Sequence, residues 1–363
     1  MARILGTIFL IFCASNLWAE EKLLYAIRYE SLQRYPDIIH AKIYSMHADG
    51  KEIRPIFSDE HTSIMLLNRR GMPGHPGEVL VSSKNKIFAH AVEKRLNPGR
   101  WYASKASIYE LYGDGSNRFR KILAVMGEQS LAEMFVNPAG TRIGYLNYLG
   151  QKPFIFIHDA ERGKLLHQID VSQIFIDCFA TAIGWLPNGD RIFFSLDTGD
   201  VHTTSEESYR RIGAYTIRED GTDLVRLPEN LFRFFLSEGF QRAVDSAPLF
   251  VGVLPDGKFI FSDVKSKKGQ RGILSFIYEG NPNTQSQKEI PLKVSQGLRW
   301  FKLSQSGKSM AFTEKISSKE GRFEWVEHIW VKDLAIGEEK KVFSLDNTPF
   351  KGFYLGLVGW MEN

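Results

Sequence analysis

The chain has 363 residues, 46 basic and 42 acidic side chains, a formal net charge of +4, 43% hydrophobic residues and two cysteines. The near-balanced charge excludes the concentrated basic stripe of a nucleic-acid binder, and beyond the first residues no apolar run is long enough to span a bilayer. Once the leader described next is removed, one cysteine remains, so no intrachain disulfide is available and burial with sheet hydrogen bonds must hold the fold.

The chain opens MARILGTIFLIFCASNLWAEEK. Arg3 supplies a short positive start, ILGTIFLIF an uncharged apolar core, and Leu17 and Ala19 suit the subsites of a signal peptidase. This reads as a secretory signal over residues 1–19, with a single domain over 20–363. A buried N-terminal strand is the alternative, opposed by the charged pair Glu20 and Glu21 that follows at once. Cys13 stands after Phe12, where a lipobox requires Gly or Ala, so a lipid anchor is not expected. Cys178, within IFIDCFA, reads as a buried, inert thiol.

From Glu21 onward the chain alternates between two kinds of hairpin. One kind carries x-P-x-G or a variant of it between apolar runs: MFVNPAGTRIGYLN, IGWLPNGDRIFFSL, VGVLPDGKFIFSDV and FKLSQSGKSMAFTE, with a weaker copy, VLVSSKNKIFAH, that puts Asn85 at its tip. Pro presets φ in such tips, and Gly or Asn accepts positive φ. Ile192, Phe194 and Ile260, just after the tips, carry the β-prone character of buried strands. The other kind includes IYSMHADGKEIRPIF, IYELYGDGSNRFRKIL and AYTIREDGTDLVRL, with Asp-Gly tips. The tip glycines of this second kind are Gly50, Gly115, Gly163, Gly221, Gly280 and Gly337, spaced by roughly 50–65 residues, the length of a propeller blade.

Two hairpins per period make four antiparallel strands, a to d from the centre outward. The expected fold is therefore all-β, a six-bladed propeller of four-stranded blades. The ends support this. Six c–d hairpins meet only five a–b hairpins. The missing strand a is LGLVGWMEN at the C-terminus, where LVGWME matches AIGWLP at 182–187, and the missing strand b is KLLYAIRYE. One blade should thus be closed by both chain ends. A β-sandwich would supply strands but not this period with complementary ends.

These hairpins resemble the WD40-like repeats of TolB-type six-bladed propellers, whose unit runs close to SPDGK-x-IAF followed by IYV-x-D-x-DG. LPDGKFIFS, SQSGKSMAFTE, IYSMHADG and IWVKDLAIG match it best, and the resemblance covers nearly all of the mature chain. It implies the fold and, with the bacterial style of the leader, a periplasmic or secreted location. The motif encodes hairpin tips rather than a reaction. TolB carries an α/β domain before its propeller. Here the first strand is expected within a few residues of Glu21, without room for that domain.

In a propeller the a–b and c–d tips share one face and the b–c and d–a connections the other. The first set is short and plain. The second contains SDEHTSIMLLNRRGMPGHPG (58–77), HAVEKRLNPGRWYASKAS (90–107), DTGDVHTTSEESYRR (197–211) and LPENLFRFFLSEGFQRAVDSAPL (227–249), and long connections are where function concentrates. Arg100, Trp101 and Tyr102 form an Arg–aromatic grouping typical of interface anchors. Glu133, Asp177 and Arg299, where strand a begins, converge on the central funnel, suited to a peptide terminus or a small anion. Asp197, Asp200, His202, Glu206 and Glu207 gather in one loop whose spacing fits no known metal motif, and His202 is retained as a partner contact. Leu231, Phe235 and Leu236 stand at helical spacing, and Lys265, Lys267, Lys268 and Arg271 make a basic turn.

No nucleophile elbow, H-E-x-x-H, phosphate loop or dinucleotide fingerprint is present, and no cofactor or metal is expected. The leading expectation is an exported, non-catalytic, monomeric scaffold of the cell envelope that binds a protein or peptide partner, or a small polar ligand. The alternative is a propeller enzyme, a carbohydrate lyase or hydrolase, using His and carboxylates at the funnel. A scaffold role in envelope maintenance akin to the Tol–Pal system is a third reading.

Overall fold

The computed structural model describes residues 21–30, 39–66, 80–83, 86–93, 106–126, 133–150, 152–175, 179–197, 213–228, 240–242, 249–267, 273–284, 286–294, 297–317, 325–346 and 354–362. The predicted leader, Cys178, the segment 231–238 and the tip at Asn85 lie outside them.

The described chain forms six antiparallel sheets. Blade 1 runs, from its inner strand outward, Tyr354–Glu362, Glu21–Glu30, Ile39–His47 and Arg54–Ser58. Blade 3 runs Glu133–Val136, Arg142–Leu149, Lys152–Asp159 and Leu165–Asp170, and blade 4 Phe179–Trp185, Arg191–Asp197, Gly213–Arg218 and Val225–Arg226. Blade 6 runs Leu298–Leu303, Ser309–Ser317, Trp325–Asp333 and Glu339–Asp346. In blade 2 the inner strand comes in two pieces, Ile64–Leu66 and Leu80–Ser83, ahead of Lys86–Glu93, Ser107–Leu111 and Phe119–Ala124. Blade 5 does the same with Phe240–Arg242 and Leu249–Val253 ahead of Phe259–Lys267, Ile273–Asn281 and Ser286–Ile290.

The six inner strands touch in sequence, blade 1 to 2 to 3 and on to 6, and blade 6 returns to blade 1. Blade 1 closes as its sequence requires: Leu23 pairs with Trp360 and Ala26 with Gly356, so the first and last described strands share one sheet. The closure therefore rests on main-chain pairing, which takes the place a covalent link would fill.

Alternation along each strand explains the core. In Arg191–Asp197, Ile192, Phe194 and Leu196 pack with Ile155 and Ile157 of blade 3, whereas Phe193 packs with Phe259 and Phe261 of blade 5. Period-two side chains thus feed two different blade interfaces. The same division gives one apolar cluster at every junction of the ring: Leu24 with Ile87, Phe88 with Tyr145, Ile260 with Met310, and Ile329 with Leu355 complete the set. Burying a side chain such as Phe193, which is fully covered, contributes about 1.5–3 kcal/mol.

The a–b tips share one geometry. Gly140, Gly189, Gly257 and Gly307 each donate their amide to the carbonyl three residues back, over 2.8–2.9 Å, and each has positive φ. The c–d tips do something further: they seat one blade on the last. A Cβ on Gly163 would collide with the carbonyl of Ile122 in blade 2, one on Gly50 would come within 2.7 Å of the Val342 carbonyl in blade 6, and one on Gly221 within 3.1 Å of Ile169 in blade 3. Polar contacts follow the same seam: Asn117 accepts from the Ser58 amide at 2.7 Å, Arg120 donates to the Glu161 carbonyl at 2.8 Å, Lys340 donates to the Asp49 carbonyl at 2.9 Å, and Arg142 pairs with Glu219.

Two sequence expectations need correction. Gly280 is not a tip: it pairs with Gln287 inside the sheet, and the turn falls on Pro282–Thr284, where proline's fixed φ sets the bend. The segments 58–77 and 227–249 are not wholly loop, since each contributes a short piece of inner strand, Ile64–Leu66 and Phe240–Arg242. The first piece is held by buried Asp59, whose carboxylate accepts from the Ala41 amide at 2.9 Å and the Leu66 amide at 3.2 Å, with His40 Nδ1 at 3.3 Å. One carboxylate thereby ties blade 1 to blade 2.

Candidate functional site

Two regions hold charge near the axis. The first is a cavity of about 620 Å³ in the half of the central channel nearest the a–b tips. Its wall is the inner strands of blades 1, 3, 4, 5 and 6, and its rim is their tips, Asn137–Pro138, Pro187, Pro255 and Ser304–Ser306. At the rim, Gln305 of blade 6 donates its side-chain amide to the Pro138 carbonyl of blade 3 at 2.9 Å. These blades are opposite one another, so the bond crosses the mouth.

Glu133 and Lys302 are the charged residues among those lining the cavity. Lys302 is part-exposed to the lumen while protein surrounds its side chain. Burial pushes its pKa down, and the Glu133 carboxylate opposes this. Its carbonyl accepts from Trp360 Nε1 at 3.1 Å, which fixes the backbone from the neighbouring blade. Apolar walls come from Trp185, Phe301 and Leu303. Trp185 stacks obliquely on Phe135, ring centroids 4.9 Å apart, and its Nε1 is buried without a hydrogen-bond partner.

The second region lies at the opposite end of blade 6. Glu327 accepts from the Leu355 amide at 2.7 Å and stands 3.8 Å from Lys315 Nζ. Burial raises the pKa of Glu327 against the pull of the Leu355 amide, Lys315 and Arg299, and burial lowers that of Lys315. Desolvation therefore outweighs pairing for both partners. Arg299 is exposed beside them, and its carbonyl accepts from Thr313 Oγ1 at 3.0 Å. This arrangement presents a cation where the connections of the second face begin.

Of the seven residues singled out from sequence, Glu133 opens the inner strand of blade 3 and Arg299 is the second residue of the inner strand of blade 6. The structure separates them: Glu133 faces the tip-side cavity and Arg299 belongs to the Lys315–Glu327 group. Arg100, Trp101, Tyr102, Asp177 and His202 lie outside the described residues. His158, which carried no site assignment, is structural. It is buried, stacks on Tyr145 at 5.5 Å, contacts Tyr145 Oη at 3.3 Å and the Gly163 carbonyl at 3.1 Å, and burial lowers its pKa. Among the described residues no group of three or more His, Cys, Asp or Glu is placed to hold a metal ion, and no helix is long and apolar enough to cross a membrane.

Sequence reasoning missed Lys302. It lay inside FKLSQSGK, read only as another copy of the hairpin. The signal was in the alignment of the copies. Two residues before each tip begins stand Phe135, Gly184, Gly252 and Lys302, paired with Gly144, Phe193, Ile260 and Ala311. Gly359 fills the matching place beside Trp360 in blade 1.

No family profile matches the chain, and no curated protein matches it by sequence. Solved structures do. TolB from Acinetobacter baumannii superposes with a TM-score of 0.54 at 14% identity, over 94% of this chain and 67% of that one. A protein designated TolB in Agrobacterium tumefaciens gives 0.50 at 12% identity, over 93% and 98%. A chain of the nidogen/laminin complex gives 0.50 at 11% identity, over 93% and 97%. At such identities the likeness establishes the fold, a TolB-like six-bladed propeller, which is the architecture read from the hairpins.

Proposed function

We propose that the chain is an exported binding scaffold of the cell envelope, monomeric, that captures a protein or peptide partner on the face opposite its tips. The observation that carries this reading is the asymmetry of the connections. Apart from blade 1, whose a–b pair is made by the two chain ends, every described a–b and c–d strand pair is joined by a short turn. The intervals 93–107, 197–213 and 226–240, between strands b and c or between blades, are far longer. A rigid ring with one elaborated rim is how propellers and other scaffolds present recognition loops. Arg100, Trp101, Tyr102 and His202 belong to these intervals, Asp177 to the connection entering blade 4, and Arg299 supplies an exposed cation at the same rim. A TolB-like fold in a nidogen/laminin complex supports the reading by analogy of architecture.

The test is affinity capture from an envelope extract with the chain from residue 20 onward, alongside Trp101→Ala and Arg299→Ala. Specific capture that drops at least about tenfold in the double variant is expected, as for loss of interface anchors. Capture unchanged by both substitutions contradicts the placement.

A further inference from the structure

We propose that the tip-side half of the central channel is a second binding site, for a small organic anion of the carboxylate class, with Lys302 as its charged contact. It is independent of partner capture on the opposite face.

The first observation is a break in the repeat. At the place of Lys302, blades 1, 4 and 5 carry Gly359, Gly184 and Gly252. A Cβ added to Gly184 would meet nothing within 4 Å, so that position looks onto open lumen, whereas one on Gly252 would press on Leu303 of blade 6 at 2.9 Å. Of the five blades so aligned, three carry glycine and blade 3 carries Phe135, and blade 6 is the one that places a charged side chain there. A charged side chain on an otherwise apolar or glycine position breaks the local pattern of the frame, as functional sites do.

The second observation is local strain. Trp300 has φ +52°, a left-handed conformation that is an outlier for a bulky residue. It sits in a bulge where the pairing Arg299–Thr313 gives way to Lys302–Ala311. The bulge changes which way the strand faces. Leu298, Phe301 and Leu303 all pack in the junction with blade 5, although a regular strand would turn Leu298 and Phe301 to opposite sides, and Trp300 packs in the junction with blade 1. Blades 1, 4 and 5 also shift register in their inner strands, yet their shifts involve no left-handed non-glycine residue. A bulge re-aims side chains, and strain of this kind persists where the surroundings enforce it.

The third observation is the cavity. At about 620 Å³ it falls within the roughly 300–1,000 Å³ of small-molecule sites, and its wall is mixed, slightly more polar than apolar, with aromatic and aliphatic groups among the polar ones. Lys302 lies on that wall, its ammonium donates no hydrogen bond to the described residues, and the charge that acts on it is that of Glu133. A carboxylate entering the cavity would gain a charge-assisted hydrogen bond from Lys302 while its apolar body meets Trp185, Phe301 and Leu303.

The experiment compares three molecules of one skeleton, 4-phenylbutyrate, 4-phenylbutanamide and 4-phenylbutylamine, by titration calorimetry against the chain from residue 20 onward. Variants are Lys302→Met, Lys302→Arg and, as a control on the other face, Arg299→Ala. The carboxylate is expected to bind saturably and at least about tenfold more tightly than the amide, the scale of a charged hydrogen bond. That preference should vanish in K302M, persist in part in K302R and stay intact in R299A. Equal binding of the three molecules, no saturable carboxylate binding by the unaltered chain, or K302M matching it would each overturn the proposal. Loss of partner capture in R299A with carboxylate binding kept would separate this site from the loop-face reading.

Discussion

Blades 3 and 6 face each other across the channel, and they are built differently. The described inner strand of blade 3, Glu133–Val136, pairs without interruption, Val136 with Ile143 and Glu133 with Leu146. That of blade 6, Leu298–Leu303, is interrupted by a left-handed Trp300 and delivers Lys302 to the lumen. The c–d tip of blade 3 is also the more tightly fitted of the two. Its Gly163 is pressed against the Ile122 carbonyl, and Gly144 of the same blade accommodates the Phe135 ring, whereas Gly337, the corresponding tip of blade 6, has open space around it. One blade is optimised as frame. The other gives up regularity at the axis, where a frame needs least and a ligand most.

The largest effect should come from breaking the fit of blade 3. Gly163→Ala adds a methyl into a carbonyl at positive φ and is expected to lose on the order of 3 kcal/mol or more of stability, since strain and collision add. Gly337→Ala carries only the left-handed penalty, about 1–2 kcal/mol. Urea unfolding of the two variants, read by midpoint at constant slope, checks the difference. Equal losses would mean the two tips are equally constrained.

Gly144→Ala comes next. The methyl would collide with Phe135, so the ring must shift from its place against Trp185, with an expected loss of about 1–3 kcal/mol. A change in tryptophan fluorescence accompanying the loss would report that displacement. Trp300→Gly works in the opposite sense in blade 6. Glycine removes the backbone strain, about 1–3 kcal/mol, but also the ring that packs toward Leu355. The net loss should therefore be smaller than the roughly 3–5 kcal/mol typical of deleting a buried tryptophan.

The two blades should also answer pH in different ranges. His158 of blade 3 is held neutral by burial, its pKa below 6.5. The folded state binds fewer protons there than the unfolded chain, so its contribution is complete above pH 6.5 and is lost as pH falls through that value toward the folded pKa. Lys302 of blade 6 is lowered from 10.5, so its charged form costs stability at neutral pH, and that cost fades as pH rises from the folded pKa toward 10.5. His158→Gln should flatten the acid side of the stability profile, and Lys302→Met the alkaline rise. Profiles that match the unaltered chain on both sides would contradict these environments. The smallest effect is expected for Gln305→Ala, which removes the bond across the mouth. Carboxylate exchange should quicken by a few-fold while affinity changes by less than about 1 kcal/mol, as for one exposed hydrogen bond.

The frame was legible in the sequence because it repeats. Pro255-Asp256-Gly257 and its relatives mark tips by residue chemistry alone, and the match of LVGWME to AIGWLP foretold the closure of blade 1. The tip at Gly280 was misplaced because Asn281-Pro282-Asn283 offers a competing turn that spacing cannot rank. The inner-strand piece Ile64–Leu66 was hidden because its place depends on Asp59, a tertiary carboxylate contact. Lys302 was hidden for a subtler reason. Its neighbours follow the repeat, and the exception shows only when copies are aligned by strand pairing. The bulge at Trp300 belongs to the same class, since no residue type in RWFK announces a left-handed tryptophan.

The most direct measurement is the side-chain carbon resonance of Lys302 in the chain labelled with ¹³C-lysine, assigned by its absence in K302M. The account predicts that this resonance titrates at lower pH than the exposed lysines and shifts saturably on adding 4-phenylbutyrate, while 4-phenylbutylamine leaves it in place. A resonance that titrates with the exposed lysines and ignores the carboxylate would contradict it.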